Sequence, residues 1–91
     1  MLSLPGNDSL KGKRAVVRRI VERARSRFNV AAAEVADMDA HRKATLGFTV
    51  VSNETSHVHS MLDKITAFVA GASEALIVDR EIDVVHFGES L

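Results

Sequence analysis

The chain has no cysteine, no tryptophan and no tyrosine, and a single proline. Without cysteine it can form no disulfide, no thiolate metal site and no cysteine nucleophile, which fits a reducing cytoplasm. Without tyrosine and tryptophan, and with four phenylalanines at mostly core-like positions, it lacks the platforms on which single-stranded bases stack. No apolar run approaches the ~20 residues of a membrane span. The N-terminus shows no basic segment leading into an apolar core. The expectation is a soluble, cytoplasmic protein without membrane contact.

What is present points to one globular domain over residues 1–91. A chain of 91 residues with 46% hydrophobic and 26% charged side chains has enough apolar matter for one two-layer core. Its zero net charge hides a division. Residues 1–28 hold eight Lys and Arg against Asp8 and Glu22, a net +6, and residues 29–91 carry the compensating −6. Such asymmetry suits a basic surface facing a polyanion, or two surfaces that attract one another.

Along the chain, residues 1–4 read as the end of a strand, stopped by the turn signal Pro5-Gly6. Asn7, Asp8 and Ser9 are candidate N-caps for a helix reaching Phe28. Leu10, Val17, Val21, Ala24 and Phe28 share one arc of it, with Ile20 at the edge, and Lys13 lies near the buried side. Residues 30–35 form a short strand, residues 37–43 a polar loop, and residues 44–52 the best strand, alternating at Leu46, Phe48 and Val50. A second helix spans residues 55–70, capped by Ser52 or Asn53 and stopped by Gly71, with Val58, Met61, Leu62, Ile65, Phe68, Val69 and Ala72 on one side. Residues 75–87 read as a long strand whose Leu76, Val78, Ile82 and Val84 face the core, opposite Asp79, Glu81 and Asp83.

The order β-α-β-β-α-β predicts an α+β, ferredoxin-like two-layer sandwich. Two helices lie on one face of a four-stranded antiparallel sheet. In that plan the first strand is internal and should be long, yet it is shortened to about four residues.

The pieces LPG (residues 4–6), SLKGKR (9–14), RFNVAAAEV (27–35) and LGFTVVSN (46–53), His57-Val58 and the acidic last strand occur in the order seen in the YlxP family. The chain resembles that family of small bacterial proteins, a domain of unknown function, over nearly its whole length. The resemblance implies a ferredoxin-like fold and a gene near translation and ribosome-maturation genes, including the ribosome-binding factor A family. It implies no assigned activity. Family members begin with several more alternating apolar residues before LPG, a departure that implies either a late start site at Met1 or a truly shortened first strand. It leaves neighbouring strands with unpaired backbone that a second chain would satisfy.

The basic helix is the main candidate site. Lys11, Arg14, Arg18 and Arg25 form one flank, and Arg19, Arg23 and Arg27 lie toward the other. Arginine forks pair bidentately with phosphates, and the row can displace counterions from a nucleic acid backbone. The plainer alternative is a solvated face, or one paired with acids such as Glu34, Asp79, Glu81 and Asp83.

Other constellations carry less. In GNDSLKGKR (residues 6–14) the glycines are one residue too far apart for a phosphate loop, and Arg14 replaces the magnesium-binding hydroxyl. His57 and His59 lie about 160° apart on a helix and cannot share a metal, with His57 bordering the core. No catalytic set, metal site or cofactor is expected. The reading is a non-enzymatic accessory factor in translation or ribosome maturation, contacting structured ribosomal RNA or the small ribosomal subunit through the first helix. The alternative is a protein-interaction or self-assembly module, such as a homodimer.

Overall fold

The computed structural model describes residues 1–72 and 75–87. Its elements are β1 (Leu2–Ser3), α1 (Leu10–Arg27), β2 (Ala31–Ala36), β3 (Lys43–Thr49), α2 (Thr55–Ala72) and β4 (Leu76–Ile77). The strands are ordered β2-β3-β1-β4 and every neighbouring pair is antiparallel. This is the ferredoxin-like arrangement, with β1 in the interior of the sheet and both helices contributing to one core.

Helix α1 begins where a short side chain can take up its free amides. Ser9 is the cap, and its hydroxyl accepts from the Gly12 amide at 3.0 Å. Gly12 is an unfavourable helix residue, but a Cβ there would stand 2.5 Å from Asn7 Oδ1. The Asn7 side chain also donates to the Ser9 and His41 carbonyls, so the first turn of α1 is tied to the loop before β3. The buried stripe of α1 is Lys13, Val17, Ile20, Val21 and Ala24. Ile20, placed by periodicity at the edge, is fully buried, while Leu10 and Phe28 are half-buried at the ends.

Helix α2 starts at Thr55, as its pattern suggests, but Glu54 takes the cap position. The Val58 amide bonds the Glu54 carbonyl, and the Ser52 hydroxyl accepts from the Glu54 amide. Neither Ser52 nor Asn53 is therefore the first helical acceptor. The helix passes through Gly71 to Ala72, and of its apolar side Ile65 and Val69 are buried. His57 is exposed rather than bordering the core.

Strands β2 and β3 form a hairpin with a bulge. Glu34 pairs with Leu46 and Ala36 with Thr45, which leaves Val35 as the extra residue. Its side chain lies over Gly47, where a Cβ would meet Val35 Cγ1 at 2.9 Å. The alternation of Ala32 and Glu34 points both toward the helical layer, and Ala32 is buried there.

The residue that joins these parts is Lys13. It is fully buried, yet its ammonium donates to the carbonyls of Asp37 at 2.6 Å and Met38 at 3.0 Å, with Lys43 O at 3.4 Å. Its charge is balanced by Glu34 Oε2 at 2.9 Å. That carboxylate oxygen has no aligned hydrogen-bond donor among the described residues, so the contact is one of charge with charge. Asp37 sits at φ 60°, in the left-handed region. Its side chain accepts from Thr45 Oγ1 at 2.7 Å and faces Lys43 Nζ at 3.5 Å.

The last strand is where structure and pattern part. Only Leu76 and Ile77 pair, with Ser3 and Leu2 of β1. Two more bonds, from Val78 N to Met1 O at 2.9 Å and from the Met1 ammonium to Asp79 O at 2.7 Å, continue the ladder. After Ile77 no further strand is formed among the described residues. The register differs as well. Ala75 and Ile77 pack against the core, while Leu76 and Val78 are exposed.

Two outcomes follow from the Lys13 cradle. Lys13→Met strands the Glu34 carboxylate near the core and should cost about 3–5 kcal/mol in chemical denaturation. The double variant Lys13→Met/Glu34→Leu should recover most of that loss. The second concerns pH. The Thr45 hydroxyl above all, helped by Lys43 and Lys13, holds the Asp37 carboxyl below its ordinary value against the opposing effect of burial. A depressed carboxyl stabilises the fold above its unfolded pKa, and that stability is lost as pH falls through the folded pKa. Thr45→Val should move the Asp37 titration upward in NMR and shrink the acid-side loss of stability.

Candidate nucleic-acid interface

The eighteen residues of α1 are sorted by their reach. One side is fixed in the core by Val17, Ile20, Val21 and Ala24. The remaining circumference carries Lys11, Arg14, Arg18, Arg19, Arg23, Arg25 and Arg27, all exposed. At 1.5 Å per residue the helix presents these cations over roughly 24 Å.

They are not equivalent. Arg25 Nη2 donates to the Ala32 carbonyl at 2.6 Å, so its guanidinium braces α1 against β2. Arg27 lies over two rings, 5.8 Å from the centroid of Phe28 and 5.6 Å from that of Phe68 on α2. These rings meet edge to face at 5.7 Å. Arg19 lines a shallow hollow with Val16, Gly6, Asn7 and the end of α2. Among the described residues, Lys11, Arg14, Arg18, Arg19 and Arg23 form no ion pair or side-chain hydrogen bond.

The acids that might have neutralised this face are engaged or remote. Glu34 is taken by Lys13, Asp8 by Arg42 at 3.2 Å and Asp37 by Lys43. Asp79 and Glu81 are exposed beside the other end of the sheet, lining a cavity with β3 and α2. Glu22, the one acid on the helix itself, is exposed and unpaired. The field of the helix is therefore not cancelled by internal pairs. The structure brings Lys11, Arg14 and Arg18 into one row of free cations, and assigns Arg25 and Arg27 a bracing role in addition.

Sequence periodicity placed Lys13 near the buried side and offered Glu34 as a partner for the basic helix, but did not pair the two. A signal was present, since position 13 falls on the arc of Val17 and Ile20, and Glu34 shares the inward parity of Ala32. A lysine on a helix's apolar arc facing a glutamate on a strand's apolar side is a pattern of mutual burial.

The family description matches over residues 1–82, and it reads protein of unknown function DUF503. This chain belongs to that family. It is also 34% identical over 61 residues to the uncharacterized protein YlxP of Bacillus subtilis (strain 168), a match covering 67% of this chain and 66% of the relative. No helix among the described residues is long and apolar enough to cross a membrane, and no group of three or more potential metal ligands occurs among them.

The division within the helix is open to measurement. Arg25→Ala should lower stability by about 1 kcal/mol, the worth of a charge-assisted bond to a carbonyl. Arg18→Ala should stay within about 0.5 kcal/mol of the parent. Thermal melts of both variants would compare them directly.

Proposed function

We propose that this DUF503 protein is a non-enzymatic accessory factor of translation or ribosome maturation that contacts structured RNA through α1. The observation that carries the reading is the row of exposed, unpaired Lys11, Arg14 and Arg18, flanked by Arg19 and Arg23, on a helix whose only acid is Glu22. Solubility does not require so many unbalanced cations on one element. Phosphate groups spaced along a folded RNA suit them.

The mode of contact follows from what the surface lacks. No tyrosine or tryptophan is present, and Phe28 and Phe68 pack against each other beneath Arg27. Base stacking is therefore not the expected mechanism. Backbone and shape recognition is, with Arg25 and Arg27 contributing through whatever nitrogen atoms their bracing leaves free. The link to ribosomal surroundings rests on the resemblance to YlxP-like proteins, and small-subunit RNA is the first target to test.

Lys11→Ala/Arg14→Ala/Arg18→Ala removes three cations that make no internal bond, so folding should be preserved. Labelled small-subunit ribosomal RNA, titrated at several salt concentrations, should bind the parent with a steep logarithmic salt dependence. Each lost phosphate contact flattens that slope by about 0.9 on duplex and about 0.7 on single-stranded nucleic acid. The triple variant should thus bind more weakly and with a slope smaller by about 2–3. Equal binding and equal slopes for the two proteins would refute the proposal.

A further inference from the structure

Strand β2 is the outermost strand on its side of the sheet, and among the described residues no strand lies beyond it. Its backbone is sorted by the hydrogen-bond alternation of β3. The Leu4 amide donates to the Arg42 carbonyl at 2.8 Å. Arg42, Ala44, Leu46 and Phe48 therefore turn their main-chain groups toward β1, and Thr45, Gly47 and Thr49 turn theirs toward β2. Gly47 and Thr49 stand opposite Ala33 and Ala31. The main-chain groups of Ala31 and Ala33 are thus used within the sheet, and those of Ala32 and Glu34 point out of its edge. The Arg25 guanidinium agrees with this sorting, because it takes the Ala32 carbonyl at 2.6 Å.

This edge runs beneath one flank of α1. Near its start α1 is pinned to the far end of β2, by Lys13 against Glu34 and the Asp37 carbonyl. Near its end it is pinned to the beginning of β2, by Arg25 on Ala32. The helix therefore runs antiparallel to β2 along its length. Arg25 shares its flank with Lys11, Arg14 and Arg18, so those unpaired cations overhang the β2 edge. Arg27 on Phe68 marks the other flank, which faces α2. The edge is itself suited to anions. The Ala32 carbonyl, which would repel a phosphate, is covered by Arg25. The Glu34 carboxylate turns inward to Lys13 at 2.9 Å, and that of Asp37 faces Lys43 at 3.5 Å. Exposed Ala31 and Ala33 carry only methyl side chains, so a ligand can reach the amides beside them.

We propose that the Ala32 and Glu34 amides complete the anion site of α1, and that a phosphodiester strand of RNA lies in the angle between the cation flank and the β2 edge. This rests on the reading of α1 as an RNA contact, and adds which flank is engaged and what lies opposite it. The amides donate to phosphate oxygens, and Lys11, Arg14 and Arg18 supply the opposite charge. A second copy suits the edge less well. Pairing two β2 strands needs the carbonyl that Arg25 holds, and it would bring two cationic flanks side by side.

Small-subunit ribosomal RNA titrated into the full, isotope-labelled chain tests the site by NMR and by affinity. The Ala32 and Glu34 amides should shift, and their hydrogen exchange should slow, when RNA is added. Ala32→Pro deletes one outward amide at a position where an edge strand tolerates proline. It should weaken binding about tenfold, the worth of one hydrogen bond to a charged group. Its salt slope should equal that of the parent, because a neutral donor releases no counterion, whereas Lys11→Ala/Arg14→Ala/Arg18→Ala flattens the slope. Should Ala32→Pro fail to fold, the two amides of the parent decide the matter. RNA binding with a steep salt slope that leaves both amides unmoved, or a folded Ala32→Pro that binds as the parent does, would overturn this proposal alone. Absence of RNA binding would overturn it together with the reading on which it rests. Dimers in sedimentation whose Ala32 and Glu34 amides are protected before RNA is added would also overturn it, since a second copy would then hold the edge.

Discussion

The ammonium of Lys13 is the fixed point from which the rest of the fold is arranged. A lysine can be buried without ruinous desolvation only where oxygen atoms replace its water. Here the Asp37 and Met38 carbonyls and the Glu34 carboxylate supply them. Those oxygens belong to β2 and to the turn that follows it, so the condition for burying one charge is also the condition for bringing α1, β2 and β3 together. The left-handed backbone of Asp37 helps shape the turn, and the Thr45 bond holds Asp37 in place. A polar cluster thus specifies the docking angle of the helix, while Val17, Ile20 and Val21 supply the apolar burial.

Much of this architecture was legible in the sequence, because two helices with single apolar stripes and a strongly alternating β3 leave few packings open. Element order and sheet type followed from that. The last strand misled for a physical reason. Alternation at residues 76–84 records a capacity to pair, whereas a strand exists only where a neighbour offers its backbone, and here Leu2 and Ser3 pair with it while Met1 adds two bonds. Leu76 and Val78 are exposed where the pattern turned them inward, because Ala75 and Ile77 take the core-facing positions. The cation rows of α1 were legible too, since exposure follows from helical phase. What phase could not reveal was which arginines are occupied, because the Ala32 carbonyl and the Phe68 ring arrive from distant parts of the chain.

The two ends of the molecule divide its chemistry. Basic groups left over by the core gather on α1, and the exposed carboxylates of Asp79 and Glu81 lie beside β3 and α2. Each pole persists because the acids closest to α1 are committed elsewhere, Glu34 to Lys13 and Asp8 to Arg42. A chain of zero net charge can in this way present two surfaces of opposite sign without collapsing them onto one another.

Helix α1 is clamped near both ends, at Lys13 against the Asp37 turn and at Arg25 against Ala32. A rod held at two points cannot roll about its own axis. The spacing and bearing of Lys11, Arg14 and Arg18 are thereby set before any encounter, like the teeth of a comb cut to a fixed pitch. A ligand meeting them need not spend its binding energy on orienting the helix, and one whose charges are spaced otherwise finds no helix rotation to accommodate it.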